Sequence, residues 1–294
     1  MSAPLDSLIG VDRFSIVTPL GVRFWDPIAE QVVSDGLQVS AYPERAPFRR
    51  VNAFTNRVGV FVFRDLPGLR ALENGSGDAA YWRDLQLSAT FVVEVRDERD
   101  RFQPFSFTVQ PPVRDVMQWD LDPDGSPPRP RPAVPLFSSA SRTVPNGMAV
   151  VRSDLWDAAA DVPAAWALLE VRLPQGRSAW GLADDEGRVA VVFPYPEPPI
   201  AGFESPPGRG RSAFDAQWPI DLYAYYARMD PPPVIPDLRR ALTQPPALLW
   251  DDVAGDEPLQ ARSITFGQEL VVKSKKSFGR RPSLLLVTTG GSPS

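Results

Sequence analysis

The sequence lacks both cysteine and histidine in all of its 294 residues. Without cysteine, the chain has no disulfide bridge, thiolate zinc site or cysteine nucleophile. Without histidine, it has no Ser-His-Asp triad, histidine-ligated metal or imidazole acid–base catalyst. The side chains left for chemistry are carboxylates, serine, tyrosine and a few lysines. We therefore expect a protein that is not an enzyme and has no catalytic residues, metal or cofactor.

Lysine is scarce as well, because Lys273, Lys275 and Lys276 are the only lysines in the chain. The formal net charge is −5, and this acidic balance argues against nucleic-acid binding, which requires an excess of basic side chains. Arginine is much more abundant than lysine. This preference fits either codon bias or an arginine-rich protein interface.

Long apolar runs are also missing. No segment approaches the ~20 apolar residues that span a bilayer. A secretory signal has a basic segment followed by an apolar one, and residues 1–6 lack this pattern. We therefore expect no membrane span and a cytoplasmic location, with assembly into a larger particle that can later be released.

Proline is the residue in excess, with 34 in the chain, against an average usage of about 5 %. Proline cannot continue a helix or donate to a β-ladder, and here it clusters between apolar runs, as it does in strand-rich folds. The richest stretch, 120–140, predicts an extended linker.

Three apolar segments recur at one constant interval along the chain. The segments 36–42, 59–63 and 90–95 are followed by the counterparts 164–170, 187–193 and 218–223. A Trp-Asp pair also recurs, at 25–26 and 156–157, at a slightly longer interval. One small insertion or deletion therefore separates the two copies. An interval as long as a whole domain indicates a duplicated domain rather than a solenoid.

Alternation of apolar and polar residues at period two dominates these segments, and helical periodicity is scarce, with short helical turns predicted at 237–242 and within 71–85. The sequence predicts an all-β protein of two tandem antiparallel β-sandwiches, Ig-like or prealbumin-like, with extended arms. The final strand, 283–287, is expected to correspond to 105–109 in the first copy. The predicted boundaries are an N-terminal arm at 1–20, a first sandwich at 21–119, a linker at 120–140, a second sandwich at 141–288 with an insertion at 228–262, and a flexible tail at 289–294.

One acidic motif resembles the start of a calcium-binding loop. Asp120, Asp122 and Asp124 place carboxylates at alternate positions, and Gly125 follows them. The twelfth position holds Arg131 instead of an acidic ligand, and nearby prolines oppose the winding of such a loop. A solvated acidic linker is the alternative interpretation.

A second acidic group consists of Asp184, Asp185 and Glu186. Two of these residues could supply the paired carboxylates of glycoside hydrolysis. Three acids beside Gly187 also fit a hairpin tip that is kept in water.

The only basic cluster is formed by Lys273, Lys275, Lys276, Arg280 and Arg281. It could contact an anion or a membrane surface. The alternative is a solvated strand edge whose lysines resist aggregation.

Aromatic residues are the last candidates. The eight tryptophans and the run Tyr223–Tyr226 could form a platform on which sugars stack. Tryptophan and tyrosine are equally frequent in sandwich cores and in protein interfaces.

Two segments, 59–68 and 183–194, resemble the central hairpin of carboxypeptidase-regulatory-like, prealbumin-type β-sandwiches. In that family, a turn ending in glycine leads into an apolar strand and then into a Leu-Pro loop. The second copy departs from the pattern, with Phe193-Pro-Tyr-Pro where the Leu-Pro loop belongs. The resemblance implies a seven-stranded antiparallel sandwich with a binding or structural role and no catalytic residues.

The layout as a whole resembles proteins of phage-tail-like contractile injection systems. This resemblance depends on the two Trp-Asp openings, the proline-rich linker, and the closing segments Gly267-Gln-Glu-Leu270 and Leu285-Leu-Val-Thr288. It implies a non-enzymatic structural subunit of the baseplate, cap or sheath, oligomeric in its assembly, that holds protein neighbours through sandwiches and arms. The alternative is a carbohydrate- or cell-surface-binding β-sandwich module.

Overall fold

The computed structural model describes residues 17–74, 89–121, 132–197, 216–252, 257–275, 284–291 and 293. Residues 1–16 of the predicted arm and residues 122–131 of the predicted linker lie outside this part of the chain. We call the described residues up to 140 the first module and the later ones the second module. Nearly all regular structure in both modules is β-strand, so the all-β prediction is confirmed.

The first module consists of short strands. They are β1 (Gly21–Val22), β2 (Phe24–Asp26), β3 (Gln31–Val33), β4 (Leu37–Pro43), β5 (Val51–Asn52), β6 (Phe54–Thr55), β7 (Phe61–Val62), β8 (Phe91–Asp97), β9 (Phe105–Val109) and β10 (Val134–Pro135). A 3₁₀ turn spans Arg70–Asn74. The strands form sheets in the orders β5-β4-β8-β9, β1-β7-β6 and β10-β2-β3.

The second module has longer strands. They are β11 (Met148–Asp157), β12 (Val162–Pro163), β13 (Leu168–Arg172), β14 (Ser178–Leu182), β15 (Arg188–Pro194), β16 (Gln217–Tyr225), β17 (Pro246–Trp250), β18 (Ala261–Thr265), β19 (Leu270–Val271) and β20 (Leu284–Thr288). β11 pairs with β12 and β15 along one edge and with β19 and β20 along the other. β17 pairs with both β20 and β16 and thereby joins the two parts of this sheet.

The strand pairing of the first module recurs in the second. The order β5-β4-β8-β9 reappears as β14-β13-β16-β18. β10 runs parallel to β2, and β20 likewise runs parallel to β11. The repeated apolar segments of the sequence therefore occupy corresponding strands. These pairings support the tandem-sandwich interpretation, while membership of the prealbumin-type family stays a prediction.

The two Trp-Asp pairs open matching hairpins. Asp26 is paired with Gln31 across the first hairpin and Asp157 with Val162 across the second, so the two hairpins have the same length. Each aspartate accepts a hydrogen bond at 3.0 Å from the backbone N–H two residues further on. A short side chain that accepts from a nearby backbone N–H stabilises a tight turn.

The predicted counterpart of the final strand is wrong. β18, not β20, takes the position of β9, because it pairs with β16 as β9 pairs with β8. β20 corresponds to β10. The predicted insertion at 228–262 contains β17 and the beginning of β18, together with a helix, α1 (Leu238–Leu242). The Asp237 carboxylate caps this helix by accepting from the Arg240 N–H at 2.9 Å, as N-cap aspartates do.

The cores of the two modules are in contact. A large cluster, here core cluster 1, contains the buried side chains of the first module together with Trp166, Leu168, Leu182 and Leu238 of the second. The Trp166 indole donates to the Pro233 carbonyl at 2.9 Å. A separate cluster fills the interior of the second module. The modules therefore share apolar packing, and unfolding of either should affect the other.

Part of the proposed linker belongs to the first module. Ala133, Val134, Leu136 and Phe137 are buried, and the Leu136 N–H donates to the Trp25 carbonyl at 2.9 Å. Proline is tolerated at this place because β10 is a short strand at the end of its sheet. In the described residues, no helix is long and apolar enough to cross a membrane.

Candidate functional site

The acidic turn at Asp184 has a structural role. Its Oδ1 accepts from the backbone N–H groups of Glu186 at 3.0 Å and Arg188 at 2.8 Å, and its Oδ2 accepts from the Arg188 guanidinium at 2.8 Å. These bonds hold the turn that connects β14 to β15, two strands that pair with different partners, β13 and β11. Glu186 also pairs with Arg188, at 3.0 Å. Two of the three predicted carboxylates are thus engaged in closing a turn.

A cavity of about 470 Å³ lies between the modules, next to this turn. Asp184, Asp185 and Asp100 line it, together with Trp166 and the buried amide of Gln103. The cavity brings acids of both modules together. Asp184 is committed to the turn, so Asp100 and Asp185 are the acids that remain on the cavity wall.

The proposed calcium loop lies largely outside the described residues. Its first acid, Asp120, pairs with Arg239 at 2.8 Å. Within the part of the chain that the structure describes, no cluster of acidic side chains has the arrangement of a metal site.

The basic cluster is only partly described, because Lys276, Arg280 and Arg281 lie outside the described ranges. Lys275 contacts Asp251 at 3.2 Å, and Arg262 contacts the same carboxylate. Burial opposes ionisation of Asp251, but these two hydrogen bonds hold its pKa below the ordinary value. The described part of this cluster therefore stabilises the fold of the second module.

The tryptophans of the described residues are not exposed. Trp119, Trp156, Trp166, Trp218 and Trp250 are buried, and Trp25 and Trp180 are partly buried.

The tyrosines near them are also engaged in packing. Trp180 lies 5.4 Å from Tyr225, centroid to centroid, with the two rings tilted by 39°, and both pack against core cluster 1. Burial raises the pKa of Tyr226, whose hydroxyl donates to Asp157 at 3.1 Å. These aromatic side chains serve the core and the contact between modules.

An exposed surface that no sequence motif identified lies on residues 44–58, which we call the Arg-Phe edge. Three large apolar side chains point into solvent: Phe48 is 85 % exposed, Val58 67 % and Phe54 43 %. Val234, Val271 and Leu248 are also exposed, at 79 %, 53 % and 38 %, but they lie far apart in the sequence. Three exposed apolar side chains within one short segment make residues 44–58 a candidate binding surface.

Arginines surround these apolar side chains. Arg45, Arg49 and Arg57 are exposed, and no described carboxylate lies within ion-pair distance of any of them. Arg64 lies over the Phe54 ring at 4.8 Å, in cation–π contact. The net charge of this edge is therefore positive, on a chain whose overall charge is −5.

A partly buried ion pair holds the edge on the first module. Arg50 contacts Glu94 at 2.9 Å and Ser40 at 2.9 Å, and it lies over the Tyr42 ring at 4.7 Å. Arg96 contacts the same carboxylate at 3.1 Å. The hydrogen bond from Arg50, aided by Arg96, holds the pKa of Glu94 below its ordinary value despite burial.

The edge contains the outermost strands of two sheets: β5 is the last strand of the β5-β4-β8-β9 sheet, and β6 is the last strand of the β1-β7-β6 sheet. The Ala53 N–H donates to the Val39 carbonyl at 2.8 Å, and the Asn56 N–H to the Val60 carbonyl at 2.9 Å. In an antiparallel ladder, alternate residues bond alternate sides. Asn52 lies between two residues that face β4, so its peptide groups point away from β4, and Thr55 lies between two residues that face β7, so its peptide groups point away from β7.

No model of a known protein family matches the chain, and no curated protein matches it in sequence. A crystal structure of a "putative adhesin" from Bacteroides ovatus is similar over 88 % of this chain and 94 % of that chain, with 10 % sequence identity and a TM-score of 0.18. A TM-score this low carries no argument about fold or function.

Proposed function

We propose that the protein is a non-enzymatic structural subunit that holds neighbouring protein subunits in a contractile, phage-tail-like injection particle. The observation that carries the proposal is the Arg-Phe edge, where exposed apolar side chains and arginines without a described counter-ion occur in one short segment. Exposed apolar side chains and arginine are both typical of protein interfaces.

The use of the ionisable side chains supports a structural role. Glu170 is buried and accepts hydrogen bonds from Arg172 at 2.8 Å, Ser178 at 2.7 Å and Tyr225 at 2.8 Å. Asp184 and Glu94 are similarly occupied by arginines. Carboxylates whose oxygens accept several hydrogen bonds from within the fold anchor that fold, whereas a general acid needs access to a substrate.

The carbohydrate-binding alternative has less support. A sugar-binding platform requires exposed aromatic faces, and the described tryptophans are buried or half-buried. Among the described residues, the exposed aromatic rings are Phe48 and Phe54, which lie beside arginines on a sheet edge. This combination fits a protein partner better than a glycan, since arginine and phenylalanine are enriched in protein interfaces.

The test is to isolate contractile particles from cells that produce the protein and to identify this chain in them by mass spectrometry. We expect it to co-purify with tube or sheath proteins. A variant with Arg45→Glu, Arg49→Glu and Arg57→Glu should be lost from the particle, whereas Arg70→Glu, Arg114→Glu and Arg228→Glu, with the same change in charge on other surfaces, should be retained. Recovery only as a free monomer would contradict the proposal.

A further inference from the structure

An asparagine–glycine pair lies in the turn that leads into β11. The Met148 N–H donates to the Pro145 carbonyl at 3.2 Å, so Asn146 and Gly147 are the two central residues of a β-turn. Both residues are exposed. Gly147 has a φ of +82°, a left-handed backbone conformation that glycine adopts without steric cost. The turn therefore presents the Asn146 side chain to water, next to a residue that has no Cβ.

The surroundings of this pair leave it open to a reaction between the asparagine side chain and the backbone of the next residue. Such a reaction requires a side-chain amide that can rotate, a backbone nitrogen that no hydrogen bond holds, and open space around both. The Asn146 side chain and the Gly147 N–H form no hydrogen bond with another described residue. A Cβ added at Gly147 would meet no atom within 4 Å, so the space beside this backbone is open.

Two other asparagines, at 52 and 56, are held in ways that oppose the same reaction. Asn52 is followed by Ala53, whose N–H donates to the Val39 carbonyl at 2.8 Å. The Asn56 Oδ1 accepts from the Val60 N–H at 2.9 Å, and this bond fixes the orientation of the side chain. Both asparagines also precede a residue that carries a Cβ. They therefore serve as controls within the same chain.

We propose that Asn146 is a site of spontaneous deamidation in the folded protein. The Gly147 nitrogen loses its proton and forms a bond to Cγ of Asn146, while the bond from Cγ to Nδ2 breaks and Nδ2 leaves with that proton as ammonia. The product is a cyclic succinimide. Water then opens the ring at either carbonyl, which gives aspartate or isoaspartate. In isoaspartate the backbone runs through Cβ and Cγ.

The modification would act on the contact between the modules. Met148 is the first residue of β11 and is paired with Pro194. Met148 and Val144 both pack against a small buried cluster that includes Ile28 of the first module. Isoaspartate adds one atom to the backbone two residues before Met148. The longer backbone displaces this end of β11 from its place beside Ile28.

The test incubates the folded full chain at neutral pH and follows its tryptic peptides by mass spectrometry. Trypsin cleaves after arginine, so Asn146 lies in the peptide 143–152, and Asn52 and Asn56 lie together in 51–57. A synthetic peptide of the sequence 143–152 gives the rate of deamidation without the fold. We expect Asn146 of the folded protein to convert at a rate within about tenfold of that in the synthetic peptide, and at least about tenfold faster than Asn52 and Asn56.

Three variants separate the chemistry from its consequence. Asn146→Gln should slow conversion at this position by about tenfold or more, because the longer side chain must close a larger ring, and Gly147→Ala should slow it similarly, because the added Cβ hinders the attack. Asn146→Asp carries the new charge on a normal backbone, and it should unfold at the same urea concentration as the unmodified protein. Protein incubated until isoaspartate accumulates should unfold at a lower urea concentration. Circular dichroism checks that each variant is folded.

Conversion of Asn146 more than about tenfold slower in the folded protein than in the synthetic peptide would overturn the inference, since the fold would then protect the turn. Conversion of Asn52 or Asn56 as fast as that of Asn146 would overturn it as well. Equal urea stability of the isoaspartate-containing protein and the Asn146→Asp variant would refute the effect on the contact between modules. These outcomes do not depend on the isolation of any particle.

Discussion

A glycine in the turn before β15 provides a sharp test of the packing between the repeated strands. Gly187 has a φ of +79°, and a Cβ added there would lie 2.2 Å from the Leu155 carbonyl oxygen, which belongs to the backbone of β11. The Gly187 carbonyl also accepts from the Leu155 N–H at 2.8 Å. Gly187→Ala must therefore either push β11 away or break the turn.

The magnitude follows from two contributions. Left-handed backbone costs a non-glycine residue about 1–2 kcal/mol, and forcing extra volume into a packed site costs about 1–3 kcal/mol, sometimes more. We expect Gly187→Ala to lower the free energy of unfolding by about 2–5 kcal/mol. Because domains of this kind are stable by about 5–15 kcal/mol, the variant should be folded but clearly destabilised.

Gly68→Ala is the matched control. Gly68 has a φ of +84°, and an added Cβ there would meet no atom within 4 Å. Only the conformational contribution applies, so we expect a loss of about 1–2 kcal/mol. Urea unfolding followed by tryptophan fluorescence measures both variants. Equal losses of unfolding free energy in the two variants would show that the turn at Gly187 does not contact β11 as the structure has it.

Two further predictions concern stability. Leu182→Ala truncates a side chain in core cluster 1 and should lower the free energy of unfolding by about 2–5 kcal/mol. Both modules should then unfold together at a lower urea concentration. A separate, unshifted transition for one module would contradict the shared cluster. Acidification should destabilise the protein in part through Glu94: because the folded state lowers the pKa of this group, its contribution is present above the pKa of the unfolded chain and is lost as pH falls through the folded pKa. Glu94→Gln should therefore flatten the acid limb of a plot of unfolding free energy against pH, and an unchanged acid limb would show that the Arg50 contact does not stabilise the fold.

The duplication could be predicted from sequence because its strands recur in the same order with apolar residues at alternate positions. The spacing itself is not constant: when Ser40 is matched to Leu168, their cross-strand partners Glu94 and Tyr225 are separated by the longer interval. Gln31 and Val162, the cross-strand partners of the two aspartates, are as far apart in the sequence as the two Trp-Asp pairs. The longer interval therefore applies to the whole hairpin. The strands β7 and β15 are separated by the shorter interval of the other repeated segments. The change of interval therefore falls between the first hairpin and β7, where a connection can absorb it.

The positions of β10 and β20 were not predictable in the same way. Both pair in parallel with a strand that is distant in the sequence, and period-two patterning identifies a strand without identifying its partner. Proline-rich composition correctly indicates extended chain around residue 134. An extended chain can still join a sheet edge, so composition alone could not separate a linker from β10.

The Arg-Phe edge could not be found from the sequence for a related reason. It contains arginine and phenylalanine in no regular pattern, and nothing in the order of these residues states which strand face a neighbour covers. The burial of Leu182 and the exposure of Phe54 depend on where the other module packs. That packing is a property of the assembled fold, since it involves residues far apart in the chain.

The two copies have diverged where their surroundings differ. The paired residues Ser40 and Asn52 of the first module correspond to Leu168 and Leu182 of the second. Asn52 is exposed, whereas Leu168 and Leu182 pack in core cluster 1. An apolar face suits a contact within one chain, because it is never exposed once the chain has folded. A polar residue such as Asn52 suits a face that the other module leaves in water. The two copies therefore differ at this place according to whether the other module packs against them.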